Sequence, residues 1–124
     1  MMNLLSLVSI VDDDESVRES LPDLLGVFGL ASRTFSSCEE FLAEGGSLQS
    51  NCLILDVGMP GMCGPELQLE LKRRNIKIPI IFITANRDEA LRSRLMEQGA
   101  VACLTKPFSD TALLEALNAA LRVS

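Results

Sequence analysis

The sequence contains no histidine, tryptophan or tyrosine, and its only aromatic residues are five phenylalanines. Without histidine, the scattered cysteines Cys38, Cys52, Cys63 and Cys103, none of them in a C-x-x-C pair, do not make a zinc site. They are expected to be reduced thiols in a cytoplasmic protein. So few rings mean that a core must be assembled from Leu, Ile, Val, Ala and Met. Long apolar runs are also missing. None approaches the roughly 18 residues of a membrane span, so no membrane partner is expected. The stretch Met1–Leu7 has no positive charge of the kind that opens a signal peptide and is not expected to act as a targeting segment. Basic residues are scarce, 11 Lys and Arg against 17 Asp and Glu for a net charge of −6. That balance argues against a nucleic-acid surface, which needs clustered cations to neutralise phosphates. The single basic run, Lys72-Arg73-Arg74, is expected at a helix C-terminus, where cations compensate the helix dipole.

What is present is a regular alternation. At 124 residues the chain is expected to be one domain, 1–124, with a core from about residue 7 to 121. Short aliphatic runs stand at Leu7–Val11, Ala31–Phe35, Cys52–Leu55, Ile80–Ile83 and Val101–Leu104. Four are nearly continuous in aliphatic residues, as in parallel strands covered on both faces. Ala31–Phe35 is more polar and suits an edge. Between the runs, apolar residues repeat at helical spacing, as in Val17, Leu21, Leu24, Leu25 and Phe28, and in Leu113, Leu114, Leu117 and Leu121. Ser36-x-x-Glu39 predicts a capping box for the second helix, and Gly64-Pro65 opens the third with Pro in its first turn. Asn86-x-x-Glu89 predicts the start of the fourth, and Ser109 or Asp110 that of the fifth. Pro22 lies inside the first helix and is expected to kink or weaken it. The order βαβαβαβαβα implies a parallel α/β sheet with right-handed crossovers.

Ligands of such sheets bind beyond the carboxyl ends of the strands, so the residues that follow each run carry the functional information. Asp12, Asp13 and Asp14 follow the first run, Asp56 the third, Thr84 the fourth and Lys106 the fifth. Asp14 is best explained as a helix cap. The remaining carboxylates cannot all stay ionised side by side without a counter-charge. A hard divalent cation such as Mg²⁺ (or Mn²⁺) supplies one and leaves room for a phosphoryl oxygen. Asp56 can then act as a nucleophile that forms an acyl phosphate, with Lys106 and Thr84 contacting the phosphoryl oxygens. Taken singly, each of these residues is equally well a turn former or cap. Their convergence on one sheet edge is what caps alone do not explain.

The segments Ile10-Val11-Asp12-Asp13-Asp14, Leu53-Ile54-Leu55-Asp56-Val57-Gly58-Met59-Pro60-x-x-x-Gly64, Ile83-Thr84-Ala85 and Lys106-Pro107-Phe108 resemble the receiver domain of two-component response regulators. The match in order and interval runs from about Leu7 to Leu121. The stretches Val17-Arg18-Glu19-Ser20-Leu21 and Phe35-x-x-x-Glu39-x-Phe41-Leu42 are similar to the FixJ-like subgroup. The resemblance implies a flavodoxin-like (CheY-like) doubly wound sheet of five parallel strands, order 2-1-3-4-5, with five helices. It implies that Asp56 takes a phosphoryl group from a sensor histidine kinase or phosphotransfer protein, so that the phosphohistidine lies on another chain. It implies Mg²⁺ ligation by Asp13, Asp56 and the Gly58 backbone carbonyl, with Asp12 acting largely through water. Thr84 and Lys106 would then shift the α4–β5–α5 face towards an output domain or a homodimer partner. Any DNA contact would fall to a C-terminal output domain, for transcriptional control. A stand-alone phosphorelay shuttle and an interaction-only pseudo-receiver are the alternatives.

Cys103 departs from the family pattern, because a Tyr or Phe usually stands three residues before the lysine. The usual aromatic switch is therefore replaced by a small side chain. Gly58 and Asn86 occupy the two positions where the family varies and tunes the lifetime of the phosphorylated state. Two rivals fare worse on the residues themselves. An Asp-based phosphohydrolase needs a second acid in a D-x-D pattern and a cap, and Asp56-Val57-Gly58 has no second acid. A flavin or nucleotide module needs a Gly-rich loop after the first strand, where this chain has an acidic triplet. No turnover chemistry on a small substrate is therefore expected.

Overall fold

The computed structural model describes residues 6–45 and 50–122. The segment Met1–Leu5 of the N-terminal stretch lies outside the described residues. Five strands, β1 (Leu7–Val11), β2 (Ala31–Phe35), β3 (Cys52–Asp56), β4 (Ile80–Thr84) and β5 (Ala102–Thr105), form one sheet in the order β2-β1-β3-β4-β5, every pair parallel. Among the described residues the helices are α1 (Glu15–Val27), α2 (Cys38–Ala43), α3 (Gly64–Arg73), α4 (Glu89–Glu97) and α5 (Asp110–Leu121).

Side chains alternate across a strand, and here each face has its own core. Val8, Ile10, Cys52, Ile54, Ile81 and Ile83 pack with Leu21 and Leu25 of α1 and Leu113 and Leu117 of α5. Val11, Leu53, Leu55, Ile80 and Phe82 pack with Phe41, Leu67, Leu71 and Leu95 of α2, α3 and α4. The Phe35 and Phe41 rings meet edge to face, 5.3 Å between centroids. Strands β3 and β4 are buried along their whole length, which is why their sequences read as unbroken aliphatic runs. β2, half exposed, is the edge its polar sequence suggested. Among the described residues, no helix is long and apolar enough to cross a membrane.

Three local expectations are corrected. Ser37, not Ser36, caps α2 by accepting from the Glu40 amide, while Glu40 reaches back to the Ser36 amide and hydroxyl. The cap is shifted by one residue and the return bond goes to Ser36 rather than to the cap's own amide, which frees Glu39 for another contact. Asp88 rather than Asn86 caps α4, and Asn86 instead accepts from the Asp88 amide. α1 runs continuously through Pro22. Burial of Leu21 and Leu25 on either side of it holds the helix together where isolated propensity, at about 3 kcal/mol, would break it. Ser109 caps α5, and Lys72 and Arg73 end α3 as expected, with Glu70 paired to Arg73 and Arg74.

Candidate functional site

The chain enters the sheet one strand in from an edge. From β1 it winds outward to β2, then returns past β1 to β3 and continues the other way. The crevice between the ends of β1 and β3 is therefore the topological switch point, where such sheets bind ligands. Asp12 leaves β1 there, and Asp56 is the last residue of β3.

Asp12 is fully buried and Asp56 nearly so, while Asp13 is exposed. One carboxylate oxygen from each can be chosen so that all three lie within 4.8 Å of one another. The Lys106 ammonium donates to Asp12 Oδ2 at 3.0 Å and sits 3.6 Å from Asp56 Oδ1. Asp12 is itself held fast. Its Oδ1 accepts from the Asp14 amide at 2.9 Å, and Arg18 Nη1 donates to its carbonyl at 2.9 Å. Arg18 was not singled out by sequence reasoning. It stands there only within the FixJ-like stretch Val17–Leu21, four residues past Asp14, with no site role given to it. Asp14 is the α1 cap, accepting from the Ser16 amide.

Thr84 ends β4 and is buried. Its Oγ1 accepts from the Asn86 amide at 2.9 Å, and its carbonyl accepts from the Lys106 amide at 2.7 Å. Lys106 follows β5, an edge strand, so the site draws on three central strands and one edge strand rather than on inner strands alone. The Lys106–Pro107 bond is cis. Cys103 is buried on β5, and its carbonyl accepts from Arg92 Nη1 at 2.7 Å. Thr84, Leu91, Arg92, Cys103 and Thr105 border a hollow of about 10 Å³, room for roughly one water. It lies against the strand position where the family usually carries a ring.

The electrostatics bear on what the pocket can hold. Burial, and then the neighbouring charge of Asp12, push Asp56 up to about 6, with Lys106 pulling the other way. Burial pulls Lys106 down, but the hydrogen bond from its ammonium to Asp12 and the charge of Asp56 outweigh it and hold the lysine above its usual value. One ammonium thus lies between the Asp12 and Asp56 carboxylates, with the Asp13 carboxylate close by. A set of hard oxygen donors with excess negative charge suits a small divalent cation.

Two glycines of the D-x-x-M-P-x-x-x-G block behave differently. A Cβ at Gly58 would meet nothing within 4 Å, so the position tolerates side chains. A Cβ at Gly64 would lie 2.5 Å from the Asp56 carbonyl oxygen and 3.1 Å from the Phe82 ring. Only glycine lets the start of α3 approach the end of β3 this closely, and the Gly64 amide donates to the Val57 carbonyl at 3.2 Å. Met59 is buried between them in the core of that face.

Residues 8–118 match the family model of the response regulator receiver domain. Nodulation protein W of Bradyrhizobium diazoefficiens is 45% identical over 115 residues, 93% of this chain and 51% of the relative. Transcriptional regulatory protein FixJ of Azorhizobium caulinodans is 41% identical over 114 residues, 92% of this chain and 54% of the relative. The chain thus spans about half the length of the curated relatives it matches. The crystal structure of FixJ-N superposes with a TM-score of 0.88 at 38% identity, covering all of this chain and 98% of that one. The switch-point crevice, its acidic cluster and these matches agree: the chain belongs to the response regulator receiver domain family of two-component systems, with FixJ and related regulators among its relatives.

Proposed function

We propose that Asp56 is the phosphoacceptor of a signalling switch spanning residues 7–121, fed by a phosphohistidine on a sensor histidine kinase or phosphotransfer protein. The observation that carries this reading is the Lys106 ammonium set between the buried Asp12 and Asp56 carboxylates, with Asp13 beside them. Asp12, Asp13, Asp56 and the Gly58 carbonyl would hold Mg²⁺. When bound, the ion neutralises the carboxylates and the phosphoryl oxygens during transfer.

An Asp56 carboxylate oxygen attacks phosphorus, the N–P bond to the donor imidazole breaks, and an acyl phosphate forms. Lys106 sits where it can leave Asp56 for a phosphoryl oxygen without leaving Asp12. Thr84 Oγ1 gives up its role as acceptor for the Asn86 amide and donates to another phosphoryl oxygen. The modification adds about −1.5 to −2 charge and three acceptor oxygens. Those contacts exist only in the phosphorylated state and raise the population of an active conformer of the α4–β5–α5 face. That face would serve an output domain or homodimer, in keeping with relatives named as transcriptional regulators. A groove lined by Val17, Leu21, Leu24, Pro107 and Phe108 opens beside Lys106 and offers an apolar seat for the phosphoryl donor.

Incubation with acetyl phosphate and Mg²⁺, read by intact-protein mass, is expected to add one phosphoryl group per chain. Asp56→Asn abolishes the addition. One equivalent on the variant would remove Asp56 from the role.

A further inference from the structure

Freed from capping by the one-residue shift at the start of α2, Glu39 turns to the other side of the crevice. Its Oε2 accepts from the Met62 amide at 3.0 Å, across 23 residues of sequence. The chain bends sharply there. Gly61 has φ +74, and a Cβ on it would come within 2.7 Å of the same Glu39 oxygen. The carboxylate therefore lies against the bare backbone of Gly61 and grips the next amide, and that bond is the main reason Glu39 is held below the usual carboxylate range. The bend belongs to the short loop between Asp56 and Gly64, whose two ends are fixed. Asp56 ends a buried strand, and Gly64 is wedged against the Asp56 carbonyl. At the α3 end, Cys63 and Glu66 close a capping box. Gly58, with open space around it, lies between Asp56 and the Glu39 contact. On one side of it the chain is held by β3, and on the other by the buried Met59 and, four residues on, by the Met62 amide that Glu39 holds.

We propose that Glu39 is a positioning residue for the cation site: by holding the Met62 amide it fixes the loop that presents the Gly58 carbonyl to the metal. This rests on the proposed Mg²⁺ site and adds to it a residue on α2, outside the acidic cluster. The loop contact is exposed, so its loss leaves both cores intact and acts on the geometry of one backbone ligand. Outer contacts of this kind typically change metal affinity by tenfold or more.

The test is Mg²⁺ titration by calorimetry on the whole chain, with Met62 amide exchange and acetyl phosphate labelling measured in parallel. Glu39→Ala is expected to weaken Mg²⁺ binding by about tenfold and to speed Met62 exchange, with little change in Tm. Glu39→Gln keeps an acceptor oxygen and is expected to recover most of the affinity. Gly61→Ala pushes the carboxylate away and strains the bend, so it should weaken Mg²⁺ in the wild-type background and add little to Glu39→Ala. Wild-type affinity in Glu39→Ala, no recovery in Glu39→Gln, or full additivity with Gly61→Ala would each overturn the proposal. If the wild-type chain itself binds no Mg²⁺ and takes no phosphoryl group, the site reading fails and this inference falls with it.

Discussion

The two helices that flank the loops of the crevice, α3 and α4, are of similar length but are anchored very differently. α3 buries Gly64, Leu67, Gln68 and Leu71 and begins with a glycine jammed against the Asp56 backbone. α4 buries only Leu95. It is tied down by single bonds, from Gln68 to the Leu95 carbonyl, from Lys72 to Gln98, and from Arg92 to the Cys103 carbonyl. On the α3 side, Asp56 ends a buried strand and the start of α3 is wedged against its backbone. On the α4 side, packing is light and a water-sized hollow separates helix from strand. Segments with few buried apolar contacts are the ones that move at low cost. The contrast sets a firmly packed side of the crevice against a lightly packed one, and on the proposed reading the first would serve the chemistry and the second the shift.

The largest expected effect lies on the rigid side. Gly64→Ala puts a methyl group 2.5 Å from the Asp56 carbonyl, with backbone rather than a flexible side chain as the obstacle. Overpacking of this kind costs about 1–3 kcal/mol, and the variant is expected at the upper end. Urea unfolding reads the loss, and acetyl phosphate labelling should slow with it, because α3 moves away from the acceptor. Normal stability in this variant would mean that α3 is no better anchored than α4.

Next comes the ionisation of Asp56 in the metal-free protein. Its folded value of about 6 lies above the ordinary 3.8, so the fold favours the protonated acid. The stability this contributes is present below about pH 3.8 and is lost as pH rises through about 6. A shift of that size corresponds to about 3 kcal/mol, which solvent at the pocket mouth reduces to about 1–2 kcal/mol. In EDTA, Asp56→Asn is therefore expected to be more stable than the wild type at neutral pH. The gap should close on acidification towards pH 4. Mg²⁺ should raise the wild-type Tm more than that of the variant. A gap that does not depend on pH would show that Asp56 carries no electrostatic strain.

How far all this was legible in the sequence differs between the two sides as well. The strand runs, their order along the chain and the placing of Asp12, Asp56, Thr84 and Lys106 followed from periodicity and from the rule that strand ends carry ligands. Those signals are strong because buried parallel strands admit little but aliphatic residues. The starts of α2 and α4 were legible only to within one or two residues. Ser36 and Ser37, or Asn86 and Asp88, offer equivalent caps, and the choice depends on where the preceding strand releases the chain. The grip of Glu39 on Met62 and of Arg18 on the Asp12 carbonyl could not be read, since both join a side chain to a backbone group, and a backbone group leaves no mark in sequence. Pro22 shows the converse. A strong local signal was overridden by burial of its neighbours Leu21 and Leu25.

The smallest effect is expected on the α4 side, where it is the most informative. Arg92 is exposed on α4, and its one bond in the site is to the Cys103 carbonyl, at the place where the family's aromatic switch would stand. Arg92→Ala should change global stability by no more than about 0.5 kcal/mol, as for surface substitutions generally. Labelling of Asp56 should proceed at the wild-type rate, because no group of the acidic cluster touches Arg92. Amide exchange in α4, by contrast, should accelerate, and the increase should be confined to that helix. With only Leu95 fully buried and Leu91 partly so, α4 has little apolar packing to hold it to β5. Unchanged exchange would mean that packing through Leu95 suffices, and the hollow beside Cys103 would then have no bearing on how readily the helix shifts. Slower labelling would break the division more deeply, since it would show that the chemical half depends on how α4 is held.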